Sequence, residues 1–203
     1  MKKLSWKAWL LMLVAQAAVA LGASAQQAQS PDDLVKSTSE EVLGVIRQTH
    51  DRQKLQQLAE QKVVPHFDFE RMTQLAVGRA WRQATPDQQR QLQDEFRQLL
   101  VRTYTNALAA GTHGNAKVQM KPGPKSADKS ESVVRTQAVE PGRAPIAIDY
   151  YMEQKPDGWK VYDVTVDSVS LVTNYRGQFA STVGQSGIDG LIKTLSDKNK
   201  GQS

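Results

Sequence analysis

From Leu92 the chain places a large apolar side chain at every fourth position: Leu92, Phe96, Leu100, Tyr104 and Leu108. Leu99 and Ala107 flank this ladder, and Arg90, Gln93, Asp94 and Arg97 lie on the other side. That period predicts a long helix with one buried stripe. Thr85-Pro86-Asp87-Gln88 marks its start as a capping box with Pro in the first turn, and Gly111 marks its end. Shorter helices precede it. Ser30-Pro31-Asp32-Asp33 opens one that carries Val35, Thr38, Val42, Val45 and Ile46. A second carries Leu55, Leu58 and Ala59 and stops before Pro65. Asp68 caps a third, with Phe69, Met72, Leu75 and Ala76 on one face.

After Gly111 the period becomes two. Segments 117–121, 131–139, 144–154 and 159–167 read as strands. In the third, Ile146, Ile148, Tyr150 and Met152 alternate with Ala147, Asp149, Tyr151 and Glu153. Lys155-Pro156-Asp157-Gly158 is a hairpin turn into the fourth. There Trp159 and Val161 have one parity, Val164 and Val166 the other. A bulge near Tyr162-Asp163 or burial on both faces accounts for that. Ser168 to Phe179 then reads as a helix with Leu171, Val172, Tyr175 and Phe179 grouped by threes and fours. Ser186 caps a last helix striped by Ile188, Leu191, Ile192 and Leu195. Helices, then consecutive antiparallel strands, then helices make an α+β fold. We expect a curved antiparallel sheet of about four strands packed against several helices. Such a layer encloses either a core or a cavity.

The first residues do not fit this pattern. Lys2, Lys3 and Lys7 precede an apolar run from Ala8 to Leu21, broken by Gln16, and Ala23-Ser24-Ala25 is a small-x-small site. Residues 1–25 therefore read as a cleaved signal peptide, and 26–203 as one exported, periplasmic domain. Cleavage leaves 23 basic against 21 acidic residues of the original 26 and 21, a net charge of +2 instead of +5. That is too mild for nucleic-acid binding. The chain has no Cys, which excludes disulfides, thiol catalysis and lipid attachment at the cleavage site.

Catalytic patterns are sparse. His50, His66 and His113 do not pair with another ligand at helical spacing, so no metal site is expected. Gly184-Gln185-Ser186-Gly187 lacks the spacing of a nucleophile elbow. Asp149, Asp163 and Asp167 lie near Tyr150 and Tyr162, an arrangement that can serve acid–base work in a cone-shaped pocket and that equally suits a half-exposed sheet.

Two segments carry more. "VPHFDFERMTQLAVGRAWRQATPDQQRQLQDEFRQLLVRTYTNAL" (Val64–Leu108) and "WKVYDVTVDSVSLVTNYRGQF" (Trp159–Phe179) resemble the MlaC family. The specific parts are Phe67-Asp68-Phe69, Gly78-Arg79-x-Trp81, Thr103-Tyr104, Trp159-x-Val161-Tyr162-Asp163, Ser170-Leu171 and Asn174-Tyr175-Arg176. These are periplasmic phospholipid-binding proteins of the Mla system, also called toluene-tolerance proteins. The resemblance implies a fold related to the nuclear-transport-factor-like (NTF2-like) cone, with lipid tails in an apolar cavity between sheet and helices. It implies a carrier and no enzyme, with bound phospholipid as cargo and no cofactor. It further implies exchange between an outer-membrane lipoprotein–porin complex and an inner-membrane ABC transporter with an MCE-domain protein, which maintains outer-membrane lipid asymmetry. The carrier is taken as a monomer. An enzyme or a binder of another hydrophobic ligand on the same cone is the rival, and an adaptor or chaperone that binds peptides is a third.

The energetics suit a carrier. At about 0.8 kcal/mol per CH₂, an acyl chain of some 15 methylenes costs roughly 12 kcal/mol to expose to water. For the wall of such a cavity the inward positions are Phe96, Leu100 and Tyr104; Ile146, Ile148 and Tyr150; Val164 and Val166; and Val169, Leu171, Val172 and Tyr175. Phe69, Met72 and Trp81 come second. The helix after the last strand is the part expected to touch acyl chains. Arg79, Arg143 and Arg176 are the candidate phosphate neighbours, because a guanidinium grips phosphate bidentately.

Overall fold

The computed structural model describes residues 29–110, 115–124 and 128–201. The leader and its cleavage site, the Gly111 helix stop and His113 lie outside them. Each helix begins where a polar side chain takes up the first free N–H groups. Ser30 accepts from the Asp33 N–H at 3.1 Å and opens α1, Pro31–Ile46. Asp51 accepts from Gln53 and Lys54 at 2.8 and 3.2 Å and opens α2, Arg52–Leu58. Asp68 accepts from Arg71 at 2.8 Å and opens α3, Phe69–Val77. Such caps contribute about 1 kcal/mol each. Between α2 and α3 the chain does not stop before Pro65. It widens into a π turn, Ala59–Val63, and tightens into a 3₁₀ turn, Val64–His66, that contains the proline.

The capping box is present. Gln88 N–H donates to Thr85 Oγ1 at 3.2 Å and Thr85 N–H to Gln88 Oε1 at 2.9 Å, ahead of α4, Pro86–Ala110. Ser170 opens α5, Leu171–Asn199, by accepting from Thr173 at 3.0 Å. The last helix expected from Ser186 is present as the second part of α5, set off from the first by a break at Gly187, whose φ of 70° and ψ of −173° are not helical. The Ser186 hydroxyl donates back to the Thr182 carbonyl at 3.0 Å. None of the helices among the described residues is long and apolar enough to cross a membrane.

The strands are β1 (Lys117–Lys121), β2 (Glu131–Val139), β3 (Ile146–Lys155), β4 (Gly158–Val166) and a fifth pair of residues, β5 (Val169–Ser170). They form one antiparallel sheet in sequence order. β5 corrects the expected helix start at Ser168: Asp167 and Ser168 turn with φ of 46° and 69°, and Val169 pairs back with Val166.

The predicted bulge is present. Met152 pairs with Val161 and Tyr151 with Asp163, so Tyr162 is the extra residue. The insertion flips the parity of β4. Val161, Val164 and Val166 thereby all face the same side.

Two apolar clusters result. One lies among α3, α4 and α5, around Met72, Leu92, Phe96, Phe179 and Leu191. The other lies between α1 and the sheet, around Leu34, Val35, Val134, Met152 and Val161.

Candidate functional site

The second cluster does not close. Between the sheet and the helices above it is a cavity of about 510 Å³. Its floor follows from strand register, since directly paired residues share a face. Val118, Ala138 and Ile146 form one row; Ile148 and Val166 belong to the next; Tyr150 and Val164 to a third; Met152 and Val161 to the last. The roof is the apolar side of α1 with Val35, Val42 and Ile46, the α2 residues Leu55 and Leu58, and the turn at Val63 and Val64. Phe69 and Met72 of α3 and Leu100, Val101 and Tyr104 of α4 complete the wall.

The wall is apolar because hydroxyls in it and beside it bond to backbone carbonyls. Thr105 donates to the Val101 carbonyl at 2.7 Å and Thr136 to the Ile148 carbonyl at 3.0 Å. Burial raises the Tyr150 phenol pKa, and hydrogen bonds with Ser39 and Thr136 pull it part of the way back. Burial, and then the nearby Tyr175, push the Tyr104 phenol up to about 12. Burial lowers the His66 imidazole, and the Lys160 ammonium lowers it further, so this wall residue is neutral near pH 7. A surface of carbon and internally satisfied hydroxyls offers a ligand little beyond apolar contact.

One end is sealed and the other open. At the sealed end Met72 and Met152 are 1% and 0% exposed. At the other, Tyr104 and Ile146 are 39% and 43% exposed, large apolar side chains left facing water. Ala144 and Arg143 lie on the same rim, and Arg143 pairs with Glu140 at 3.3 Å. The site is thus an apolar pocket with a polar cation at its mouth.

Ten of the expected wall residues come together here: Phe69, Met72, Leu100, Tyr104, Ile146, Ile148, Tyr150, Val164, Val166 and Leu171. Five do not. Phe96, Trp81, Val172 and Tyr175 belong to or pack against the helical cluster, where Phe96 meets Tyr175 and Phe179 edge-on at 5.0 and 5.2 Å. The excess apolar surface of α5 is therefore spent between helices, and Leu171 alone of its first turn reaches the cavity wall. Val169 continues the Ile148–Val166 row past the wall, 60% exposed. Of the candidate phosphate neighbours, Arg143 is at the mouth, while Arg79 and Arg176 line a separate hollow behind α3.

Sequence reasoning did not assign the roof. The stripe Val35, Thr38, Val42 and Ile46 was visible as helical, and nothing local says which layer it faces. Asp163, a candidate for acid–base chemistry, is bound at a joint instead. Its Oδ1 accepts from Val164 and Val172 at 2.8 and 3.2 Å, and its Oδ2 from the Ser170 hydroxyl at 2.6 Å.

Residues 36–197 match the family profile described as MlaC protein. The chain is 28% identical to the toluene tolerance protein ttg2D of Pseudomonas putida, over 83% of this chain and 79% of that one. It is 21% identical to the intermembrane phospholipid transport system binding protein MlaC of Haemophilus influenzae, over 82% and 80%. Among solved structures it is similar to a phospholipid-binding protein of Ralstonia solanacearum in complex with a phospholipid. The TM-score is 0.76 at 41% identity, covering 84% of this chain and 97% of that one.

Proposed function

The chain belongs to the MlaC family, and from that premise we propose that it is an exported phospholipid carrier. The observation that carries the proposal is the apolar cavity of about 510 Å³, closed at Met72 and Met152 and open beside Tyr104 and Ile146. Acyl chains enter tail first, and the head group stays at the mouth near Arg143. Few polar groups face the cavity, so head-group selectivity is weak. Residues 1–25 are removed on export to the periplasm and 26–203 act as one lipid-binding domain, with no cofactor and no turnover. The carrier exchanges lipid with an outer-membrane lipoprotein–porin complex and an inner-membrane ABC transporter bearing an MCE-domain protein, which keeps the outer membrane asymmetric. Native mass spectrometry of protein purified from periplasm tests this. One phospholipid per chain is the expected result; protein free of lipid, or holding a different hydrophobic molecule, overturns it.

A further inference from the structure

The hollow behind α3 is open to solvent, has a volume of about 660 Å³ and shares no residue with the carrier cavity. Arg71, Arg79, Arg82 and Arg176 line it, with no carboxylate among its lining residues. Arg71 is engaged by Glu131 and Glu153. The other three are exposed and form no ion pair among the described residues. Gathering three like charges without a counter-charge works against folding. The backbone is nevertheless shaped to bring them together. Gly78 ends α3 at a φ of 66°, and a Cβ there would stand 3.4 Å from Nε of Arg176. Glycine permits the turn, which sets the guanidinium of Arg176 against it. The two segments that meet here are Gly78-Arg79-x-Trp81 and Asn174-Tyr175-Arg176, and neither arginine is used by the cavity.

The buried Trp81 and half-buried Leu75 supply an apolar floor. Guanidinium groups around an apolar floor fit a carboxylate side chain with apolar neighbours. A concavity admits a protruding segment and not a flat bilayer. The hollow is also far from the lipid mouth. Gln89, near the start of α4, donates to the Trp81 carbonyl at 3.0 Å, and Tyr104 lies about 22 Å further along that helix at 1.5 Å per residue.

We propose that Arg79, Arg82 and Arg176 form a docking site for a protruding acidic segment of a partner protein, which takes the hollow while the lipid mouth stays free. The choice of partners to test rests on the carrier reading above. The experiment compares the lipid-loaded mature protein with an Arg79→Glu/Arg176→Glu double variant and with Arg82→Glu. Each is measured for binding to the solubilised inner-membrane transporter with its MCE-domain protein, to the outer-membrane lipoprotein–porin complex, and to vesicles of phosphatidylethanolamine and phosphatidylglycerol. Native mass spectrometry reads lipid content on the same samples. The expected result is unchanged lipid content and vesicle behaviour, with affinity for at least one complex down about tenfold or more and a weaker salt dependence. Unchanged affinity for both complexes overturns the proposal, as does a wild-type protein that binds neither. Loss of vesicle binding alone overturns it in favour of a membrane-facing patch. Wild-type protein without lipid speaks against the carrier reading and leaves the docking measurement readable.

Discussion

The guanidinium of Arg71 lies 3.6 Å from the centre of the Tyr162 ring, and Tyr162 is the residue of β4 that has no partner in β3. The bulge thus does two things. It gives α3 an aromatic face to rest on, and it turns Val164 and Val166 to the side already occupied by Val161. Deleting Tyr162 should restore regular pairing with Asp163 still opposite Tyr151 and Val164 opposite Tyr150, so Val164 and Val166 stay on the cavity floor while Arg71 loses its ring. Lipid content by native mass spectrometry should then be retained while stability falls. Tyr162→Leu keeps the register and should cost only about 1 kcal/mol, with lipid retained. A deletion variant that folds but loses its lipid would show that the extra residue itself curves the floor.

Leu171 and Val172 are neighbours with different duties. Leu171 lines the cavity, whereas Val172 is 6% exposed within the helical cluster. Leu171→Glu should therefore empty the cavity while circular dichroism stays close to wild type. Val172→Glu places a carboxylate in a packed core and should unfold the protein, at a cost of about 4 kcal/mol or more. The reverse pattern would put the wall on the other side of α5.

Removing the lipid should be expensive. A dry cavity of about 510 Å³, at roughly 24 cal/mol per Å³, carries a penalty of about 12 kcal/mol. That rivals the whole stability of a domain, about 5–15 kcal/mol. Protein stripped of lipid by hydrophobic chromatography should narrow its cavity and melt well below the loaded form, and added phospholipid should restore the melting temperature. An equal melting temperature in both states would mean that the lipid contributes no net stability.

Much of the fold was legible because it is written in local signals. β1 and β2 run where the alternation of Lys117–Lys121 and Glu131–Val139 put them, α4 starts at its capping box, and the parity break in β4 located the bulge. The cavity was half legible for the same reason. Strand parity fixes a face, so Ile146, Ile148 and Tyr150 fell on the floor as expected. A helical stripe fixes only that something is buried, not against which layer. Val172 and Tyr175 found Phe96 instead of the sheet, and the α1 stripe around Val42 became the roof. That choice depends on how the layers cross, which no window of sequence contains.

His66 gives the site a pH dependence. Its folded-state pKa is lowered, by burial and then by Lys160. As pH falls below the ordinary imidazole value of about 6.5, the unfolded chain takes up a proton that the folded chain resists. Stability from the neutral ring is therefore full above that value and is lost as pH falls through the window down to the folded pKa. Denaturant midpoints between pH 7 and 5 should show this decline, and His66→Gln should flatten it. An unchanged slope in the variant would assign the decline to groups other than His66. Burial raises the Asp68 pKa, and the Arg71 N–H, Glu153 and Lys155 together outweigh it, leaving the pKa lowered, so its contribution fades only in more acid solution.

Asp163 separates a joint from a catalyst. Its carboxylate ties the end of β4 to the start of α5 through Val164, Ser170 and Val172. Asp163→Ala removes three hydrogen bonds to a charged acceptor and should cost about 2 kcal/mol in chemical denaturation. Asp163→Asn keeps an oxygen for the two N–H groups and presents an amide to the Ser170 hydroxyl, which can rotate to accept from it. It should cost less than about 1 kcal/mol. Lipid content should be the same in both variants, because neither substitution touches the cavity wall. If Asp163→Asn keeps both the melting temperature and the bound lipid but abolishes turnover of a small substrate, the carboxylate is a catalyst, and the enzyme reading of this cone regains its footing.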